Sequence, residues 1–93
     1  MMETVIALPK SELLSALKRA ALENQCRYSV LQMLAGRGNE ELFNKFKDEF
    51  IHFSVEEEKL RQELLKQNFP GKIQRFAVDL EEDKLVIWEA EHE

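Results

Sequence analysis

The residues of this chain best suited to chemistry are a glutamate and a histidine, Glu49 and His52, which form an E-x-x-H pair. On a helix this i, i+3 spacing puts both side chains on one face, and Glu56 continues that face one turn later. Carboxylate and imidazole groups together suit iron and related metals. The pattern therefore raises a metal-binding hypothesis whose remaining ligands must come from a neighbouring element.

A further carboxylate lies earlier in the chain. If the chain folds back about the midpoint between Arg37 and Gly38, positions whose numbers sum to about 75 lie opposite one another. Glu23 then lies across from His52. One level of the hairpin would hold Glu23, Glu49, His52 and Glu56. This is half of a di-iron carboxylate site, which a second copy would complete. In length, topology and motif it resembles two-helix encapsulated ferritins, and the resemblance implies iron.

The same residues also suit an ordinary charged surface. The chain has 18 Asp and Glu residues, so an E-x-x-H pair arises readily by chance. Glu56 has a partner in Lys59 at i+3, and Arg27, one turn from Glu23, would bring positive charge close to any metal. The main prediction is therefore a chain without a cofactor, with iron as the alternative.

Two long helices are predicted to carry these residues. Pro9 closes a β-prone run at residues 4–8, and Ser11 suits a helix N-cap. Apolar residues then recur at three-and-four spacing, which predicts a helix over residues 11–35. Its apolar face comprises Leu14, Leu17, Ala21, Tyr28, Leu31 and Ala35. Gly36 suits the left-handed position after a helix end.

The second helix is predicted over residues 40–68, after a loop short enough to make the two helices antiparallel neighbours. Asn39 suits its N-cap. Its apolar stripe comprises Phe43, Phe46, Phe50, Phe53, Leu60 and Leu64. We interpret the stripe first as core, with a ligand pocket as the alternative. Because two helices cannot surround four phenylalanines, the sequence predicts a homodimer with a four-helix arrangement.

Polar residues interrupt both stripes, Asn24 in the first helix and Glu57 in the second. Either they set the register or the choice of partner, or they lie at the edge of the contact. Cys26 is the only cysteine, so the chain forms no internal disulfide, and we interpret it as a packing residue rather than a nucleophile. The sequence has no nucleophile elbow, phosphate loop or zinc spacing, which favours a protein that is not an enzyme.

A β-hairpin over residues 73–80 and 84–89 follows Pro70 and Gly71, because apolar residues there alternate with period two. A lone hairpin is marginal in water, so we expect it to pack on the helices and to recruit residues 4–8 as a third strand. Trp88 either packs on the helices or belongs to a peptide-docking surface with an exposed edge at residues 85–89. Residues 89–93 are predicted to form a frayed acidic tail. The fold class is mainly α (α+β), with residues 1–93 as one domain.

The composition limits the partners. The net charge is −5, and no stretch of five or more residues is basic, which argues against nucleic acid and anionic membranes. The sequence shows neither a signal peptide nor a membrane span, which predicts a cytoplasmic protein.

Residues 39–48, Asn68-Phe69 and residues 76–80 resemble small proteins found beside CXXX-repeat peptide modification systems. The resemblance covers about residues 15 to 87, although the paired tryptophans of that pattern are replaced around Ser54 and Val55. It implies an accessory protein near radical-enzyme peptide maturation. The main functional prediction is a non-catalytic, homodimeric interaction protein that binds a peptide or protein; a small regulator from a mobile element remains open.

Overall fold

The computed structural model of the chain describes residues 2–89. Its elements are β1 (Met2–Ala7), α1 (Glu12–Leu34), α2 (Glu40–Asn68), β2 (Ile73–Asp79) and β3 (Lys84–Glu89). Two helices and one three-stranded antiparallel sheet make an α+β fold, as the sequence predicts. Residues 90–93, most of the predicted acidic tail, lie outside the described residues. Neither helix of the described part is long and apolar enough to cross a membrane.

The helix bounds agree with the sequence prediction to within one residue because local capping chemistry sets them. The Ser11 hydroxyl accepts a hydrogen bond from the Leu14 backbone N–H at 3.1 Å. The Asn39 side chain accepts one from the Leu42 backbone N–H at 3.0 Å. Gly36 has φ of +77°, the left-handed conformation that ends a helix with little strain.

The sheet has the order β1-β3-β2, so β3 is the central strand. Ile87 of β3 lies between Thr4 of β1 and Phe76 of β2. The predicted third strand is therefore confirmed, and the predicted exposed edge at residues 85–89 is wrong. β3 is the most buried of the three strands, with Leu85 and Ile87 shielded from solvent, and pairing on both sides satisfies its backbone groups.

One aspartate joins the β2–β3 turn to the rest of the molecule. Asp83 has φ of +54°, in the left-handed region. Its backbone carbonyl accepts a hydrogen bond from the Leu8 N–H at 2.8 Å, and its Oδ1 lies 2.6 Å from Lys18 Nζ. The turn thus anchors both the exit of β1 and the first half of α1.

The buried core lies between the sheet and the adjoining ends of the two helices. Leu17, Leu85 and Ile87 have no exposed surface. The other buried members of the cluster are Leu8, Leu14, Leu64 and Leu65. We call this part the base. Of the predicted phenylalanine stripe, only the last member, Leu64, is buried within a single chain. The short sheet covers the base alone, and two helices cannot enclose the rest.

The hairpin extends beyond this base as an arm, which we define as residues 25–56. Not one residue of the arm is buried. The radius of gyration is 16.4 Å, against about 12 Å for a compact domain of this length. The extents of 52 × 33 × 18 Å describe the same elongation.

Leu17→Ala should lower the free energy of unfolding by about 2–5 kcal/mol, because it removes a side chain buried in the base. Leu22→Ala is the matched control, since Leu22 lies on the same helix with 63% of its surface exposed, and it should change stability by less than about 1 kcal/mol. Chemical denaturation followed by circular dichroism measures both. Equal effects at the two positions would contradict the assignment of the core.

Candidate functional site

The two polar interruptions of the apolar stripes meet each other across the hairpin. Asn24 is only 7% exposed. Its Nδ2 donates one hydrogen bond to Glu57 Oε1 at 2.8 Å and another to the backbone carbonyl of Phe53 at 3.2 Å. This contact favours the interpretation in which these residues set the register, and it rejects the one that puts them at the edge.

Two arginines complete this arrangement. Arg27 Nη1 donates to Asn24 Oδ1 at 2.7 Å. Arg61 donates from Nε and Nη2 to Glu57 Oε2, at 3.1 and 2.8 Å. We call Asn24, Arg27, Glu57 and Arg61 the polar cluster. Both amide protons of Asn24, its carbonyl oxygen and both oxygens of Glu57 have partners, so the burial of these groups is compensated.

The polar cluster places the helices in a register different from the predicted one. The position numbers sum to 77 for the contact of Asn24 with Phe53. They sum to 78 for Tyr28 and Phe50, whose ring centroids are 5.7 Å apart. The prediction of about 75 assumed a loop that turns symmetrically about its midpoint. The buried side chain of Asn24 finds its hydrogen-bond partners on α2 in one alignment of the two helices only, and this requirement sets the alignment.

In this register the predicted metal ligands do not converge within one chain. All four are exposed: Glu23, Glu49, His52 and Glu56. The Glu23 carboxylate lies 3.6 Å from the Arg27 guanidinium, and Glu56 pairs with Lys59 at 3.2 Å. Among residues 2–89 no three His, Cys, Asp or Glu side chains are placed to hold one metal ion. The residues of a single chain therefore do not form the half-site that the iron alternative requires.

Aromatic side chains line the contact between the helices of the arm without being enclosed by it. We call Tyr28, Phe43, Phe46, Phe50 and Phe53 the aromatic seam. Phe46 and Phe53 keep 38% and 37% of their surface exposed, and Tyr28 keeps 50%. The Arg27 guanidinium carbon lies 3.6 Å from the centre of the Phe53 ring, a cation–π contact that links the seam to the polar cluster.

A second apolar stripe follows α1 outside the aromatic seam. Leu22, Val30 and Met33 are 63%, 41% and 65% exposed, and Cys26 is exposed between them. We call Leu22, Cys26, Val30 and Met33 the outer stripe. Its spacing of four, four and three residues is readable in the sequence. The stronger apolar stripe on the same helix, which includes Leu14 and Leu17, obscures this pattern in the sequence.

Trp88 lies on the face of the sheet away from the helices. Leu85 and Ile87 point into the base, so Trp88, with the opposite parity on β3, points outward. The guanidinium carbon of Arg75 lies 4.3 Å from the centre of its ring. The interpretation of Trp88 as packing on the helices is therefore wrong. Period two predicts that a strand has two faces, and it does not say which face meets the helices.

Comparison with protein-family models, curated proteins and solved structures found no significant match for this chain.

Asn24→Leu should lower the free energy of unfolding by about 1–3 kcal/mol, because it removes the hydrogen bonds from the buried Asn24 amide to the partly buried Glu57 carboxylate and to the Phe53 carbonyl. Asn24→Leu with Glu57→Leu should recover part of this loss, since the Glu57 carboxylate that the single variant deprives of the Asn24 donor is then removed as well. Equilibrium denaturation measures each value.

Asn44→Leu is the matched control, because Asn44 is exposed on α2, and it should be close to neutral. If Asn24→Leu alone stabilises the protein, the polar cluster does not determine the register.

Proposed function

We propose that this chain is a non-catalytic interaction protein that acts as a homodimer and binds a protein or peptide partner. The observation that carries the proposal is the arm, which has an aromatic seam and not one buried residue. Several large apolar side chains of the arm are exposed, and exposed apolar surface is characteristic of sites where proteins associate. An accessory role beside a peptide-modifying enzyme, which the sequence resemblance implies, is compatible with it.

The exposed area supports association. The chain has 7058 Å² of accessible surface, whereas a compact monomer of 10.9 kDa exposes about 5,600 Å². The excess is about 1,500 Å², and a standard interface buries about 800 Å² on each partner. A dimer of standard interface size through the arm would therefore remove about half of this excess.

The helix charges support an arrangement in which α1 of one copy lies beside α2 of the other. Helix α1 has three basic and two acidic residues, a net charge of +1, and α2 has five basic and eight acidic residues, a net charge of −3. Neighbouring helices of opposite charge attract, and like pairs repel. In this arrangement the half-covered seams of two hairpins face each other and form a four-helix core.

The polar cluster supports a structural role over a catalytic one. Its hydrogen bonds run between its own members or to the backbone. Groups held in this way fix an alignment and are not available to move protons for a substrate. We therefore propose that the cluster keeps the two halves of the aromatic seam in the alignment that the second copy recognises.

Sedimentation equilibrium at micromolar concentration should give twice the mass of 10.9 kDa. Phe46→Glu should convert the dimer into a folded monomer, because a carboxylate at the centre of the shared seam would be buried without a partner. Circular dichroism checks that this variant keeps its helices. A monomeric native protein at that concentration contradicts the proposal.

Two controls separate the seam from other surfaces. Met33→Glu introduces the same charge on the outer stripe, where 65% of the side chain is exposed, and it should leave the mass unchanged. A monomer from Met33→Glu and a dimer from Phe46→Glu would overturn the proposed interface. His52→Ala should also remain dimeric.

Elemental analysis after incubation with excess iron tests the alternative directly. The proposal predicts no stoichiometric iron, in part because Arg27 places positive charge beside Glu23. Stoichiometric iron that His52→Ala abolishes would replace the proposed function with the di-iron alternative.

A further inference from the structure

The two edges of the sheet differ in how well they are protected against pairing with another chain. On β2 the register shifts between Ile73 and Arg75. Such an irregularity, with a charged side chain beside it, discourages a further strand. On β1 all six residues from Met2 to Ala7 pair with β3 in unbroken register. That strand has no proline, no lysine and no bulge, so it has the form of an edge that accepts a strand.

The outer side of β1 presents backbone hydrogen-bonding groups. In an antiparallel ladder the N–H and C=O groups of alternate residues point away from the paired strand. Within residues 2–89, β1 has β3 as its one neighbour in the sheet. The backbone N–H and C=O groups of an extended chain can form regular hydrogen bonds with those of such an edge. A helix cannot form them, because its backbone groups bond to one another.

The side chains along β1 indicate which extended chain would fit. On the outer face, Glu3 lies beside Trp88 and Val5 lies beside Val86. Glu3 is exposed, and Val5 is 54% exposed. A strand added to this edge would place one residue next to Glu3 and the residue two positions away next to Val5. A basic residue complements the first position and an apolar residue the second.

We propose that β1 is a docking edge for an extended segment of a protein partner in which basic and apolar residues alternate on one face. The segment adds to the sheet as a fourth strand. The net charge of −5 attracts such a basic segment over a longer range. This surface is separate from the arm, so the inference goes beyond the proposed function and does not depend on it.

The charge of β1 argues against a second copy as the occupant. β1 has no basic residue, and its one charged side chain is Glu3. Self-pairing would therefore bring together two acidic edges of two chains that each have a net charge of −5. A basic partner segment removes this repulsion, whereas a second copy adds to it.

The test uses the whole chain and a synthetic peptide, Lys-Thr-Val-Thr-Lys-Thr-Val, with blocked termini. Amide hydrogen exchange measured by NMR should show slower exchange at alternate residues of β1 when the peptide is added, with little change on β2. A peptide of the same pattern with glutamate in place of lysine should bind at least about tenfold more weakly. Equal binding of the two peptides overturns the proposal that the edge selects a basic segment.

Glu3→Lys should weaken binding of the lysine peptide about tenfold, because it turns an attraction into a repulsion at the docking edge. Glu81→Lys is the matched control: it changes the net charge equally, lies in the exposed β2–β3 turn, and should weaken binding far less. Equal losses in the two variants would show a general charge effect and overturn the proposed site.

The remaining outcomes separate this inference from the proposed function. Phe46→Glu should bind the peptide as the native chain does, whether or not it dimerises. Protection of arm amides by the peptide, in place of β1 amides, overturns the docking edge. Concentration-dependent protection of β1 without peptide would identify a second copy as its occupant and overturn the proposal as well.

Discussion

The hydrogen bonds between Asn24, Glu57 and the Phe53 carbonyl constrain the rest of the structure. They lie at the boundary between the leucine-rich base and the exposed arm. On the base side, helix packing against the sheet already favours one arrangement of leucines. On the arm side, the aromatic rings are only partly covered, so they make fewer close contacts to fix the alignment. A polar pair that is satisfied at one level gives the arm a single alignment.

The base and the arm therefore differ in what holds them together. The base has closed packing, with Leu17, Leu85 and Ile87 completely shielded from solvent, and it supplies most of the hydrophobic stabilisation of the fold. The arm has half-covered rings, helix capping and the polar cluster. Segments with few buried contacts open at lower free energy than the core. Association through the arm would thus stabilise the part of the chain that is least stable in isolation.

The features that the sequence predicts well are those that neighbouring residues determine. Ser11 and Asn39 cap the helices whatever lies elsewhere in the chain, so the helix bounds are predicted to within one residue. The features that it predicts poorly depend on distant residues. The outward face of Trp88 and the central place of β3 follow from how the sheet packs on the helices, and the helix register follows from the contact of Asn24 with α2. The sequence shows that Asn24 and Glu57 interrupt the apolar stripes of the two helices, but their spacing does not show that they form a hydrogen bond with each other.

The register also explains why the residues that first suggested chemistry do not act together within one chain. In a hairpin aligned about its loop midpoint, Glu23 would face His52. In the observed alignment Asn24, one residue further along α1, contacts α2 instead. The Glu23 carboxylate lies beside Arg27. Arg27 in turn donates to Asn24 and covers the Phe53 ring. Glu23 thereby pairs with a member of the polar cluster, and the arm exposes large apolar side chains beside its charged residues.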